Sequence, residues 1–116
     1  MHEAVSLMSR LVSVDSSNRE GANTAVDLCA RYLEEHGITG ELLDNEGFSS
    51  YIATIGSGER TLVLNGHLDV VSGSEEQFTP EARDGRIYGR GTADMKGGCA
   101  AMMQAFIALS RMDLKS

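Results

Sequence analysis

The run "RTLVLNG", Arg60 to Gly66, is apolar on both faces of an extended chain. A strand of that kind needs cover on both sides, as in the middle of a sheet flanked by helices. The rest of the pattern offers such helices. Ala4, Leu7, Met8 and Leu11 recur at helical spacing near the start. Ala22, Ala25, Val26, Cys29 and Leu33 form one face of a second helix. A capping box from Ser17 to Glu20 would open that helix, and Gly37 would close it. "ITGELLDNEG" and "SSYIATIG" read as two strands around a turn at Asn45–Gly47. The polar stretch from Ser72 to Ala82, with the one proline, reads as a loop. "DGRIYGRG" reads as a turn, a short strand and a glycine-rich exit. Beyond Gly97 and Gly98, the residues Cys99, Met102, Met103 and Phe106 mark the apolar face of a last helix. The expectation is one α/β unit: two N-terminal helices, about three to four strands in a mixed sheet, and one C-terminal helix.

Composition narrows the partners. The 116 residues suffice for one domain with one core, and 41% hydrophobic with 23% charged residues is an ordinary globular balance. The formal net charge of −7 argues against nucleic acid or an anionic membrane surface as a partner. Met1-His2-Glu3 is not the basic start of a secretory leader. The longest mostly apolar stretch, Cys99 to Leu109, falls short of a membrane span. Cys29 and Cys99 both lie on apolar helix faces, which points to buried thiols rather than a bridge. A reducing compartment, the cytoplasm, is the expected location.

Two short stretches can carry chemistry. In "NGHLDVV", His67 and Asp69 share one face at the C-terminal end of the apolar run. Open α/β sheets place ligand crevices at such ends. A histidine there can offer one ring nitrogen to a metal while a carboxylate holds the other N–H. Three His and seven Asp in 116 residues predict roughly 0.18 His-x-Asp pairs by chance, so the pair alone reads first as a satisfied polar pair at a strand end.

The second stretch is "YGRGTADMKGG", Tyr88 to Gly98, between a short strand and a helix. It is a poor nucleotide loop. Met95 stands where a P-loop needs glycine before its lysine, and Asp94 stands at the third glycine of a dinucleotide fingerprint. An aspartate at such a turn suits a cation, and its two oxygens can bridge two metal ions. The competing account of Asp94 is a carboxylate at a helix start, or a surface pair with Lys96.

Taken together, "LNGHLDVV" and "DGRIYGRGTADMKGGCAAM" resemble the zinc-dependent metallopeptidase family of acetylornithine deacetylase, succinyl-diaminopimelate desuccinylase, aminoacylase and glutamate carboxypeptidases. The order and approximate spacing of the motifs match, "ARYLEEHGI" also fits, and the resemblance spans essentially the whole chain. It implies the N-terminal part of a zinc-exopeptidase-like catalytic domain. It also implies two divalent metal ions, zinc first and cobalt as an alternative. His67 would bind one ion, Asp94 would bridge both, and Asp69 would orient His67. A cis peptide after Asp94 is implied as well. The implied reaction is hydrolysis of an amide in an N-acyl amino acid or short peptide.

The family pattern continues with a strand bearing two glutamates, then a further acidic ligand and a second histidine. It also includes an inserted domain that closes over substrate and forms a homodimer. Glu34-Glu35 and Glu75-Glu76 have the wrong order and context to replace that glutamate pair. Residues 1–116 are therefore expected to be a single incomplete catalytic domain, with its next strand due near Leu114–Ser116, and inactive by themselves. Arg90 lies beside the candidate site and reads as a structural pair, and His36 as a helix-end residue. The alternative from another class is a non-catalytic α/β module, or a degenerate relative that binds without turnover.

Overall fold

A computed structural model describes residues 2–112 of the chain. The element order is α1 (His2–Val12), α2 (Arg19–Glu35), β1 (Gly40–Asn45), β2 (Phe48–Ala53), β3 (Glu81–Arg83), β4 (Arg86–Tyr88) and α3 (Gly97–Ser110). A single 3-10 turn, Glu75–Phe78, interrupts the polar loop before β3. The α/β expectation holds. The expected start of a further strand near Leu114–Ser116 lies outside the described residues.

The three helices supply the core. Leu7 and Leu11 of α1, one turn apart, are fully buried against α3, which contributes Ala100, Met103 and Ile107. Ala25, Cys29, Tyr32 and Leu33 add the inner face of α2. Ile38 joins them just past the end of that helix. There the chain turns back: Ile38 N–H donates to Leu33 O, and Gly37 N–H donates to Glu34 O. The start of α2 differs from the expected capping box. Asn18 is the cap, and its side chain accepts from Gly21 N–H at 2.8 Å. Ser17 is occupied elsewhere, its hydroxyl and its backbone N–H both donating to Asp15 Oδ1.

The strands form two separate antiparallel hairpins rather than one mixed sheet. In the first, Gly40 pairs with Ala53 and Asn45 with Phe48. Its turn residues Glu46 and Gly47 have φ of 54° and 91°, the left-handed pair that matches the twist of the flanking strands. This hairpin packs on α2. The second pairs Glu81 with Tyr88 and Arg83 with Arg86.

The run Arg60–Gly66 is the main departure from expectation. It takes no regular secondary structure, and Leu62 and Val63 are 83% and 76% exposed. Its apolar residues fit a covered central strand, but among the described residues no strand pairs with it. What fixes the chain is its continuation. Cys99 Sγ–H donates to His67 O at 3.3 Å, Ser16 Oγ–H donates to Leu68 O at 2.6 Å, and Val70 N–H donates to Ser16 O at 3.2 Å.

Candidate functional site

Asp94 is carried by a wide turn that enters α3. Lys96 N–H reaches back five residues to Gly91 O at 2.7 Å, and Gly97 N–H reaches Thr92 O. The Asp94–Met95 peptide is cis. Gly91 makes the turn possible. Its φ is 85°, and a Cβ there would stand 2.5 Å from Val70 Cγ1 and 3.2 Å from Lys96 Cδ. This close approach seats the turn directly against the segment that carries His67 and Asp69.

The two motifs therefore meet. His67 Nε2 lies 3.0 Å from Asp94 Oδ1. Its Nδ1 lies 3.1 Å from the backbone O of Asp69 and 3.3 Å from Asp69 Oδ1. Every partner of the ring is an acceptor, so the arrangement favours the protonated imidazole. Burial works against that charge, but the hydrogen bonds to Asp69 and Asp94 and their two negative charges outweigh it. The His67 pKa is raised above its ordinary value. Asp69 reaches the ring chiefly through its backbone oxygen, with the carboxylate slightly farther away.

All three side chains remain open to solvent, His67 at 46%, Asp69 at 75% and Asp94 at 88%. They line a pocket of about 340 Å³ together with Val71, Arg90 and Thr92. The donor chemistry fits a divalent cation in part. One imidazole nitrogen and one carboxylate oxygen face each other across 3.0 Å, within the separation of two donors that each bind one ion at ~2.0–2.2 Å. Among the described residues, no group of three or more His, Cys, Asp and Glu side chains is placed to hold a metal ion. His67 and Asp94 are the two potential donors that the fold brings face to face here.

The other residues singled out by sequence fall elsewhere. Lys96 is not a surface partner of Asp94. It is fully buried, and its ammonium donates to Val14 O at 2.9 Å. Burial lowers its pKa, against the opposing attraction of Asp15. Arg90 pairs with a neutral side chain, donating from Nη2 to Gln77 Oε1 at 3.1 Å. His36 sits at the end of α2 with Nδ1 2.8 Å from Tyr32 O. Glu34 and Glu35 lie on α2, and neither they nor Glu75 and Glu76 line the His67 pocket. Cys29 and Cys99 are free and buried, and burial first, with the neighbouring Cys99 next, pushes the Cys29 thiol up to about 12. Ser16, which clasps the segment after His67, carries no sequence signal beyond a break between two helices.

Comparison with known proteins gives a family. Residues 63–116 match the model of peptidase family M20/M25/M40. A probable succinyl-diaminopimelate desuccinylase of Staphylococcus aureus (strain MRSA252) is 35% identical over 122 residues, covering 96% of this chain and 29% of that protein. The succinyl-diaminopimelate desuccinylase of Xylella fastidiosa (strain 9a5c) is 40% identical over 111 residues, 90% of this chain and 29% of that protein. The acetylornithine deacetylase of Pasteurella multocida (strain Pm70) is 35% identical over 122 residues, 98% of this chain and 31% of that protein. The chain spans under a third of the length of these relatives. Among the described residues, no helix is long and apolar enough to cross a membrane. The motifs around His67 and Asp94 fall within residues 63–116, the part of the chain that matches peptidase family M20/M25/M40.

Proposed function

We propose that this chain supplies two ligands of a dinuclear zinc site in a hydrolase that cleaves an amide bond of an N-acyl amino acid or short peptide. The observation that carries the reading is the meeting of His67 and Asp94, 27 positions apart in sequence, at 3.0 Å in an open pocket. The names of the similar proteins, desuccinylases and a deacetylase, point to acylated amino acids as the substrate class. His67 and Asp94 would hold the ions, Asp94 through both oxygens. When bound, two such ions supply an acidified water and polarise the scissile carbonyl.

The chain's own residues have three tasks in this reading. His67 would offer Nε2 to a metal ion, while its Nδ1 beside Asp69 O fixes the ring orientation. Asp94 would supply its carboxylate to the same ions. The pocket wall of Val71, Arg90 and Thr92 shapes one side of the space that a substrate would enter.

Residues 1–116 in this reading are one incomplete catalytic domain, and the chain alone binds zinc weakly and does not turn over. Two donors cannot close a four-coordinate zinc site. Homodimerisation would belong to a segment outside these residues. The acidic charge and buried free thiols support a cytoplasmic protein without a nucleic acid or membrane partner. Assay of the purified chain with zinc or cobalt against N-succinyl-diaminopimelate and N-acetylornithine should give no turnover. Measurable metal-dependent cleavage would refute the inactivity. The coding sequence after Ser116 tests the family role. A strand ending in two adjacent glutamates supports it, whereas a stop codon there favours the non-catalytic module.

A further inference from the structure

The connector between α1 and α2 touches both halves of the candidate site. On one side, Ser16 Oγ–H donates to Leu68 O, and Ser16 O accepts from Val70 N–H. These two bonds flank Asp69 and fix the backbone immediately after His67. On the other side, the Lys96 ammonium donates to Val14 O, two residues before Ser16. The backbone N–H of the same lysine closes the Asp94 turn onto Gly91 O. Ser16 is 1% exposed and Lys96 is 0% exposed. The bonds join positions 52 and 82 apart in sequence.

We propose that Ser16 and Lys96 are positioning residues, and that the Val14–Ser16 connector holds His67 and Asp94 at a set separation across the pocket. The chemistry of Lys96 argues for this over plain core filling. Withdrawing an ammonium from water is costly, and a methionine would fill similar space without that cost. What the methionine could not do is bond Val14 O and so tie the Asp94 turn to the connector. Ser16 presents the same logic in smaller form: an alanine would occupy the site but leave Leu68 O without its donor. The arrangement is a clamp with one shared jaw. Movement of the connector would displace both sides of the site together.

The inference rests on the reading of His67 and Asp94 as paired ligands, and its test uses the metal-free chain. Two-bond 1H–15N correlation spectra of the His67 imidazole would be recorded at one pH for the wild type, Ser16→Ala, Lys96→Met and Asp94→Asn. The last variant calibrates the loss of a charged partner at Nε2. A core truncation on α3, Ile107→Ala, is the control for general loosening. The clamp predicts that Ser16→Ala and Lys96→Met each move the His67 Nε2 resonance at least half as far as Asp94→Asn does, with a wild-type circular dichroism spectrum. Ile107→Ala leaves it in place. Zinc affinity, read from the same resonance, should fall about tenfold in both variants.

Wild-type His67 resonances in the variants would overturn the proposal, as would an Ile107→Ala shift of equal size. If one variant fails to fold, the other decides. If both fail, the two residues support the fold as a whole and the proposal is wrong. Failure of the ligand reading shows separately, as wild-type His67 signals that do not respond to zinc.

Discussion

The His67 imidazole and the Asp94 carboxylate face each other at 3.0 Å, joining the segment after the apolar run to the entrance of α3 with no intervening side chain. Each group meets the other's chemical need when no metal is present. The ring gives a partner to a carboxylate that is 88% exposed, and the carboxylate keeps the ring turned toward the pocket. In the proposed site the same two groups would hold a divalent cation, His67 through Nε2 and Asp94 through its carboxylate.

Substitution should therefore separate binding from folding. His67→Ala and Asp94→Ala remove exposed side chains, so thermal stability should stay within ~0.5 kcal/mol of the wild type. Zinc affinity, already weak, should drop by at least about tenfold in each, since loss of either donor leaves a single ligand. Calorimetric zinc titration beside thermal melts checks both halves. Unchanged affinity in His67→Ala would remove that residue from the site.

Metal binding should also depend on pH with a definite sign. The His67 pKa is raised: burial opposes the proton, and the bonds and charges of Asp69 and Asp94 overcome that opposition. The folded chain thus holds this proton more tightly than the unfolded chain. The stabilisation is complete below the ordinary value of 6.5 and is lost as pH rises through the raised folded value. Zinc competes with the same proton, so its affinity should climb across that window and level off above it. Asp94→Asn should bring the His67 titration, followed by the ring Cε1–H resonance, back toward 6.5. A titration that does not respond to Asp94→Asn would contradict the pairing.

The three helices, the first hairpin and the two motifs were legible because each rests on local pattern: helical spacing, a turn between alternating runs, and motif order. Features decided by distant partners were not. Ser17 has the residue type of a cap, but Asp15 takes its hydroxyl and Asn18 caps α2 instead. Lys96 resembles a surface lysine, and the approach of Val14, 82 positions away, together with the attraction of Asp15, offsets its burial. Arg60–Gly66 has the composition of a central strand without a pairing partner among the described residues. The cap can be checked directly. Asn18→Ala should cost about 0.5–2 kcal/mol by thermal or urea unfolding, and Ser17→Ala distinctly less. The reverse order would restore the expected Ser17 cap.

Exposure of that same run has a consequence for handling the protein. Leu62 and Val63, with Val71 farther on, present exposed apolar surface that favours association with other chains. Leu62→Thr with Val63→Lys should reduce association, measured by light scattering across a concentration series, and shift unfolding by no more than ~0.5 kcal/mol. A substantial loss of stability would mean that these side chains contribute to packing in the isolated chain.

Gly91 and Gly85 allow the close approach behind the site to be separated from backbone strain. Both take left-handed φ, 85° and 72°, where alanine costs roughly 1–2 kcal/mol for the backbone alone. At Gly85 an added Cβ meets nothing within 4 Å, so Gly85→Ala should lose only that amount. At Gly91 the Cβ would also stand 2.5 Å from Val70 Cγ1, which cannot remain where it is. Val70 follows Asp69 and is held to Ser16 by its backbone N–H, so relief there moves the segment that carries His67. Gly91→Ala should accordingly lose more stability than Gly85→Ala, by about 1–3 kcal/mol for the forced repacking. It should also weaken zinc binding, which Gly85→Ala leaves intact. Equal melting temperatures and equal zinc affinities in the two variants would show that the contact between Gly91 and Val70 does not set the spacing of His67 and Asp94.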